Sequence, residues 1–217
     1  GKTVFLKCLL GLHTPEEGEI SFDDRIYSKL DINERRLLRT EIGMLFQGGA
    51  LFDSLTVEEN VMFPLKMFAN QSNKEMLERV NFVLDRVNLT NSNSKFPAEV
   101  SGGMQKRVAI ARAIVMNPKY LFCDEPNSGL DPQTATVIDN LIQEITDEYQ
   151  IVTVVNSHDM NSVMEIGEKI IFLKDGNKAW EGTNKEIFVT DNQAIVNFVY
   201  SSNLFKKVRE SYLKESK

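Results

Sequence analysis

The chain has 217 residues, 42% of them hydrophobic and 26% charged, the balance of an ordinary globular protein able to bury a sizeable core. Its formal charge of −6 argues against a general nucleic-acid binder, and its two cysteines, Cys8 and Cys123, have no metal-ligand spacing and read as buried thiols kept reduced. No apolar run approaches the ~20 residues of a membrane span. The first twelve residues lack the charged start and small-residue cleavage site of a secretion signal.

In chain order, 3–11 (TVFLKCLLG) is apolar apart from Lys7 and ends in glycine, the pattern of a buried helix. The segments 19–22 (EISF) and 42–46 (IGMLF) read as strands, separated by a stretch rich in Asp, Glu and Arg. Helices are predicted at 56–69 and 74–87, a polar connector at 88–97, and a strong helix at 101–116. The runs 121–124 and 151–156 are strands, with a helix at 132–149 between them. A helix at 160–166, a strand at 169–173, an Asp175-Gly176 turn and a strand at 178–181 complete this part of the chain. Strands alternating with helices predict a layered α/β domain with a mainly parallel sheet. The strandless block 55–115 predicts a helical subdomain inserted in a single domain, 1–217. The last stretch, 185–217, with apolar clusters at Ile187-Phe188-Val189, Phe198-Val199-Tyr200 and Leu204-Phe205, reads as a helical tail. It either packs on its own domain or reaches a partner.

The chemistry-bearing residues are spread along the chain. Gly1-Lys2-Thr3 has the last three positions of the phosphate-loop pattern G-x-x-x-x-G-K-[ST]. On that reading, backbone N–H groups at the start of the next helix hold phosphates, Lys2 reaches the β- and γ-phosphates, and the Thr3 hydroxyl ligates Mg²⁺. A GKT tripeptide also arises by chance, so its weight depends on the motifs that lie C-terminal to it and on their order. Asp124 and Glu125 end an apolar run, which puts them at the strand edge where open α/β sheets bind ligands. There Asp124 can hold Mg²⁺ and Glu125 can accept a proton from an attacking water. The competing reading is a solvated pair in a turn before Pro126. Ser101 is a good N-cap, and Gly102 and Gly103 permit close approach of backbone to an anion. The alternative is a capped helix whose Lys106, Arg107 and Arg112 form a basic solvated face, which leaves the glycine pair unexplained. Gln47, beside Gly48-Gly49, can contact Mg²⁺ or the lytic water, or be a plain loop residue. His158 can reach a γ-phosphate and hold the lytic water against Glu125, or be structural.

Together these pieces resemble the ATP-binding-cassette (ABC) ATPases along essentially the whole chain. Gly1-Lys2-Thr3 matches the end of Walker A, Gln47 the Q-loop, Ser101-Gly102-Gly103-Met104-Gln105 the signature, and Leu121 to Glu125 Walker B. Ser128-Gly129-Leu130-Asp131 matches the D-loop and His158 the switch histidine. The resemblance implies a P-loop NTPase fold and a Mg²⁺-dependent ATPase that binds ATP. It further implies a head-to-tail dimer in which each site takes Gly1, Lys2, Thr3, Asp124 and Glu125 from one chain. The other chain supplies Ser101, Gly102, Gly103 and Met104, with Asp131 in the D-loop. Every half-site element is intact, which permits a homodimer. Val100 and Met104 stand where Leu and Gln are usual, changes found among importers and lipid transporters, and Gly129 stands where Ala is commoner. The strand before the phosphate loop, most of that loop and an adenine-stacking aromatic are not in these 217 residues. The expectation is that they hydrolyse ATP poorly on their own while a longer parent is active.

Within the family, 43–65 (GMLFQGGALFDSLTVEENVMFPL) and 191–200 (DNQAIVNFVY) look like the ATPase subunit of bacterial phospholipid transport systems of the lipid-asymmetry-maintenance type. That resemblance implies an integral membrane permease and an MCE-type lipid-binding protein as partners, and no nucleic acid. It places the chain peripherally on the cytoplasmic face of the bacterial inner membrane. Leu51, Phe52 and Leu55 would form an apolar groove for a short permease helix, or else cover the subdomain junction. Three alternatives compete. An importer ATPase for an amino acid or osmolyte also uses SGGMQ-type signatures. A non-transport ABC ATPase would show a coiled-coil insertion or two cassettes on a basic linker. A non-catalytic nucleotide sensor sits poorly with intact Lys2, Gln47, Glu125 and His158.

Overall fold

A computed structural model describes residues 1–201, 205–209 and 211. The chain forms two compact units, one of Thr3–Asn156 and one of Gly1–Lys2 with Ser157–Lys217. The larger opens with α1 (Lys2–Leu9), whose first residue is grouped with the smaller unit. A short hairpin, β1 (Ser21–Phe22) and β2 (Arg25–Ile26), leads to α2 (Ile32–Thr40) and β3 (Ile42–Leu45). Then come α3 (Val57–Phe68), α4 (Asn73–Arg86), α5 (Gly102–Ile114), β4 (Tyr120–Asp124), α6 (Pro132–Tyr149) and β5 (Val152–Asn156).

Helix starts obey local side-chain chemistry. Asp31, Thr56 and Ser72 each accept from the N–H three residues on, while Glu34, Glu59 and Glu75 accept the reciprocal backbone N–H. Helix α2 lies in the stretch that reads from sequence only as polar. Its apolar stripe is narrow, and Leu38 is its one buried residue.

Strands β3, β4 and β5 form a parallel sheet with β4 in the middle. All five residues of β4 are buried, as a central parallel strand covered on both faces requires. Its side chains alternate between two cores. Leu121 and Cys123 join residues of α3 to α6, whereas Tyr120 and Phe122 pack with Leu6, Phe22 and Leu38. Burial pushes the Cys123 thiol up to about 12, so it behaves as an inert core residue. Cys8 is only half-buried.

Between β3 and β4 the regular elements are all helical, and α4 and α5 close each other's ends. Arg79 of α4 donates to the carbonyls of Ile114 and Val115 at 3.1 and 2.9 Å, and Arg107 of α5 donates to that of Val87 at 3.3 Å. Carbonyls left open by the helices are thus satisfied by partner side chains.

The smaller unit contains α7 (Met160–Ile166), the hairpin β6 (Ile170–Lys174) and β7 (Asn177–Gly182), α8 (Glu186–Val189) and α9 (Gln193–Val199). Asp175 and Gly176 both have positive φ, the geometry of a tight hairpin turn. Ile187, Ile195, Val199 and Tyr200 form its core with Phe172 and Trp180 beside them. Of the expected tail, 185–217, residues 202–204 (Leu204 among them), 210 and 212–217 lie outside the described residues.

Helix α5 crosses β3 closely at Gly43, where a methyl group would run into the Ala113 carbonyl oxygen. Gly43→Ala should therefore destabilise the larger unit by about 1–3 kcal/mol through overpacking, read as a lower urea midpoint at unchanged m-value.

Candidate functional site

The site is built at the carboxyl ends of the parallel strands. Asp124 ends β4 with only 5% of its surface exposed, opposite Asn156, the last residue of β5. A carboxylate buried there needs hydrogen bonds. The Asn156 amide donates to its Oδ1 at 2.7 Å, and the Thr3 hydroxyl donates to the same atom at 3.3 Å. The second residue of α1 and the tips of two adjacent strands thus converge on one carboxylate. Immediately after it, Glu125 adopts φ +49°, a left-handed conformation that costs a non-glycine residue ~1 kcal/mol or more. The Glu125 N–H, donated to the Asn156 carbonyl at 2.8 Å, holds the turn in place.

Gln47 lies just past β3 on an exposed loop, with its amide donating to the Ser128 hydroxyl at 3.4 Å. The loop turns through positive φ at Gly49 and Ala50. Its carbonyls are gripped from α5. The Lys106 ammonium donates to the Gln47 carbonyl, and Arg112 donates to those of Gly49 and Ala50 at 2.6 and 2.7 Å. The alternative of a basic solvated face therefore does not hold for Lys106 and Arg112. Lys106 is 6% exposed, and burial lowers its affinity for the proton. The loop carbonyls, which have no strand partner, drew these cations inward.

The Ser101 hydroxyl caps α5, accepting the Met104 N–H at 3.3 Å, and Ser101 and Gly102 remain exposed. Gly102 lies beside Leu130, and a methyl group at Gly103 would sit 2.8 Å from the Thr134 methyl. Packing against α6 by itself thus calls for the second glycine, a reason that sequence reading did not find. Asp131 caps α6, accepting from the Thr134 N–H and hydroxyl at 3.0 and 2.6 Å. That hydroxyl holds its carboxyl below the ordinary range.

Gly1 and Lys2 belong to the smaller unit, with Lys2 the first residue of α1. His158 also belongs there, exposed, two residues past β5 and just before the Asp159 cap of α7. The structure brings Thr3 to Asp124, Gln47 to Ser128, and Gly102 and Gly103 to the start of α6. Asn156, Lys106, Arg112 and Thr134 complete these contacts, and none was legible as a site partner. Among the described residues no three or more His, Cys, Asp or Glu side chains form a metal cluster. No helix of the described residues is long and apolar enough to cross a membrane.

Residues 1–128 match the family model described as ABC transporter. The chain is 37% identical to the methionine import ATP-binding protein MetN of Campylobacter jejuni over 94% of its own length and 65% of that protein's. It is 38% identical to MetN of Carboxydothermus hydrogenoformans over 96% and 63%. It spans roughly three fifths of the length of these curated relatives. Among solved structures it resembles the dimeric ATP-binding cassette MJ0796 bound to ADP and Pi, with TM-score 0.76 and 35% identity, over 85% of this chain and 81% of that one. It also resembles cbiO1 of Clostridium perfringens, described as part of the ABC transporter complex cbiONQ, with TM-score 0.80 and 29% identity, over 97% and 83%. With the family model covering more than half of its residues, the chain belongs to the ABC transporter family and has that family's nucleotide-binding P-loop NTPase fold, α/β with a parallel sheet.

Proposed function

We propose that this chain is the ATP-hydrolysing subunit of an ABC importer for a small solute, with an amino acid of the methionine kind as the first candidate. The observation that carries the hydrolytic part is the convergence of Thr3 and Asn156 on the buried Asp124. The cargo rests on the methionine import relatives. The phospholipid reading of 43–65 and 191–200, with its MCE-type partner, finds no support among them.

The residues fit Mg²⁺. Thr3 and Asp124 offer hard oxygens at a helix start, too few to enclose an ion, which suits a metal that keeps waters and phosphate oxygens as its other ligands. When bound, the ion neutralises charge on the phosphoryl group being transferred. Lys2 and the first N–H groups of α1 hold the phosphates with the positive end of the helix dipole. Asn156 fixes the orientation of Asp124, so that its oxygen is placed before ligand arrives. Glu125 takes the proton of the attacking water, held in place by the turn at its own backbone. Gln47 positions that water, and the resemblance to the family gives His158 a part in the same step. Ser101, Gly102, Gly103 and Met104 of a second copy close the site from the other side, with Asp131 shaping the rim. MJ0796 in its dimeric form supports a paired arrangement of this kind.

A permease partner has a physical basis in the larger unit. Phe52, Phe63 and Met67 are exposed at 42, 38 and 54%, and the rings of the first two meet at a tilt of 49° with centroids 4.8 Å apart. Such a rim suits an apolar helix end and a peripheral seat at the membrane.

In the full-length protein, Glu125→Gln should lower kcat about 10²- to 10⁴-fold while MgATP still binds, checked by steady-state turnover and nucleotide binding. Unchanged turnover would remove Glu125 as the base. Asn156→Leu, which keeps the volume but loses the donor to Asp124, should weaken Mg²⁺ dependence about 10- to 100-fold in a metal titration. Purification from gently solubilised membranes should recover a solute-type permease. Recovery with an MCE-domain protein and phospholipid would overturn the import reading, and absence of any permease would overturn transport.

A further inference from the structure

The loop that carries Gln47 is held mainly by helix α5, and by charged side chains rather than by neutral ones. Residues 47–50 run past the end of β3, so their carbonyls have no strand partner. Lys106 donates to the Gln47 carbonyl, and the two nitrogens of the Arg112 fork reach Gly49 and Ala50. Gly49 is buried, lying 3.7 Å from the Ala109 methyl by its would-be side-chain position, so the loop lies directly on the helix. Both cations are desolvated, and hydrogen bonds from charged donors in such surroundings are about twice as strong as neutral ones. Lys106 could have been an apolar residue here. It sits among the core of α5, and the Cys123 thiol feels its charge together with that of Asp139.

The same helix opens at Ser101-Gly102-Gly103. A loop fixed to α5 therefore moves with the segment that closes on the second copy's nucleotide. Arg112 also lies over the exposed Phe52 ring at 6.0 Å, linking the clasp to the apolar rim.

We infer that Lys106, aided by Arg112, is a positioning residue that sets the height of Gln47 above the nucleotide site by gripping its carbonyl. This rests on the ATPase reading for its effect on turnover, but not for its effect on the loop. Lys106 touches no reacting atom. It acts through Gln47, and its loss should be invisible where Gln47 has already been removed.

The test is a double-mutant cycle in the full-length protein with Lys106→Met, Gln47→Ala and both together. Two readouts are taken: steady-state kcat and KM for MgATP, and hydrogen exchange of the amides at 48–51 without nucleotide. Lys106→Met removes the buried charge while keeping the length of the stem, and leaves the Gln47 carbonyl without this donor. It should raise exchange at 48–51 about tenfold relative to the rest of the larger unit. It should lower kcat about 10- to 100-fold with KM within about twofold, the pattern of a displaced catalytic group. Lys106→Arg should restore both, and in the Gln47→Ala background Lys106→Met should change kcat no further. Full additivity of the two substitutions, or unchanged exchange at 48–51, overturns the inference. Should Lys106→Met fail to fold, Lys106→Gln removes the charge and shortens the reach while keeping a polar head, and unchanged exchange at 48–51 there overturns the inference equally. A parent protein without ATPase activity would instead sink the functional reading, and the exchange data would still decide the clasp.

Discussion

Burial of one carboxylate organises the larger unit. Asp124 closes the only strand of the parallel sheet whose every residue is buried, and a polar group so placed is tolerated when neighbours satisfy it. That requirement fixes the register of β4 against β5, because Asn156 must stand opposite. It also fixes the approach of α1, because the Thr3 hydroxyl must reach the same oxygen. A one-residue slip of β5 would replace the amide with the apolar Val155 and leave the carboxylate facing hydrocarbon. Stability and the proposed metal chemistry therefore depend on the same geometry, and mutations that loosen one will loosen the other.

Helix α5 is the second organising element. One side packs into the main core through Val108, Ile110 and Ile114, and Gly43 lets it approach β3 within backbone contact. Its carboxyl end accepts from Arg79 of α4, its Arg107 donates to the end of α4, and its cations hold the loop after β3. A helix bound on so many sides is a rigid body. The Ser101 start and the clasp on the loop of Gln47 are therefore parts of one helix.

Nothing in this phosphate machinery distinguishes an amino acid from a lipid as cargo, since both would be driven by the same hydrolysis. The two cargo readings differ only in which relatives a segment resembles. Similarity along nearly the whole chain to methionine import proteins outweighs similarity across 43–65 and 191–200, because it samples core and surface together.

Much of the architecture was legible because it is written in local patterns. The fully apolar run before Asp124-Glu125 declared a buried strand, and the helix expected at 132–149 has those bounds in the structure. Ser101 announced its helix start, and the starts expected at 56, 74 and 101 lie within a residue of those at Val57, Asn73 and Gly102. Helix α2 escaped because its stripe buries a single leucine, too weak a period to rise above its charges. The partners of the site residues escaped for another reason. Asn156 on Asp124, Thr134 against Gly103 and Lys106 on Gln47 are separated by tens of residues, and no spacing rule links them. Residue type and order sufficed to name the family and its candidate chemistry. Only the folded chain decided which cations face water and which are turned inward, because that depends on carbonyls left unpaired by a loop on another element.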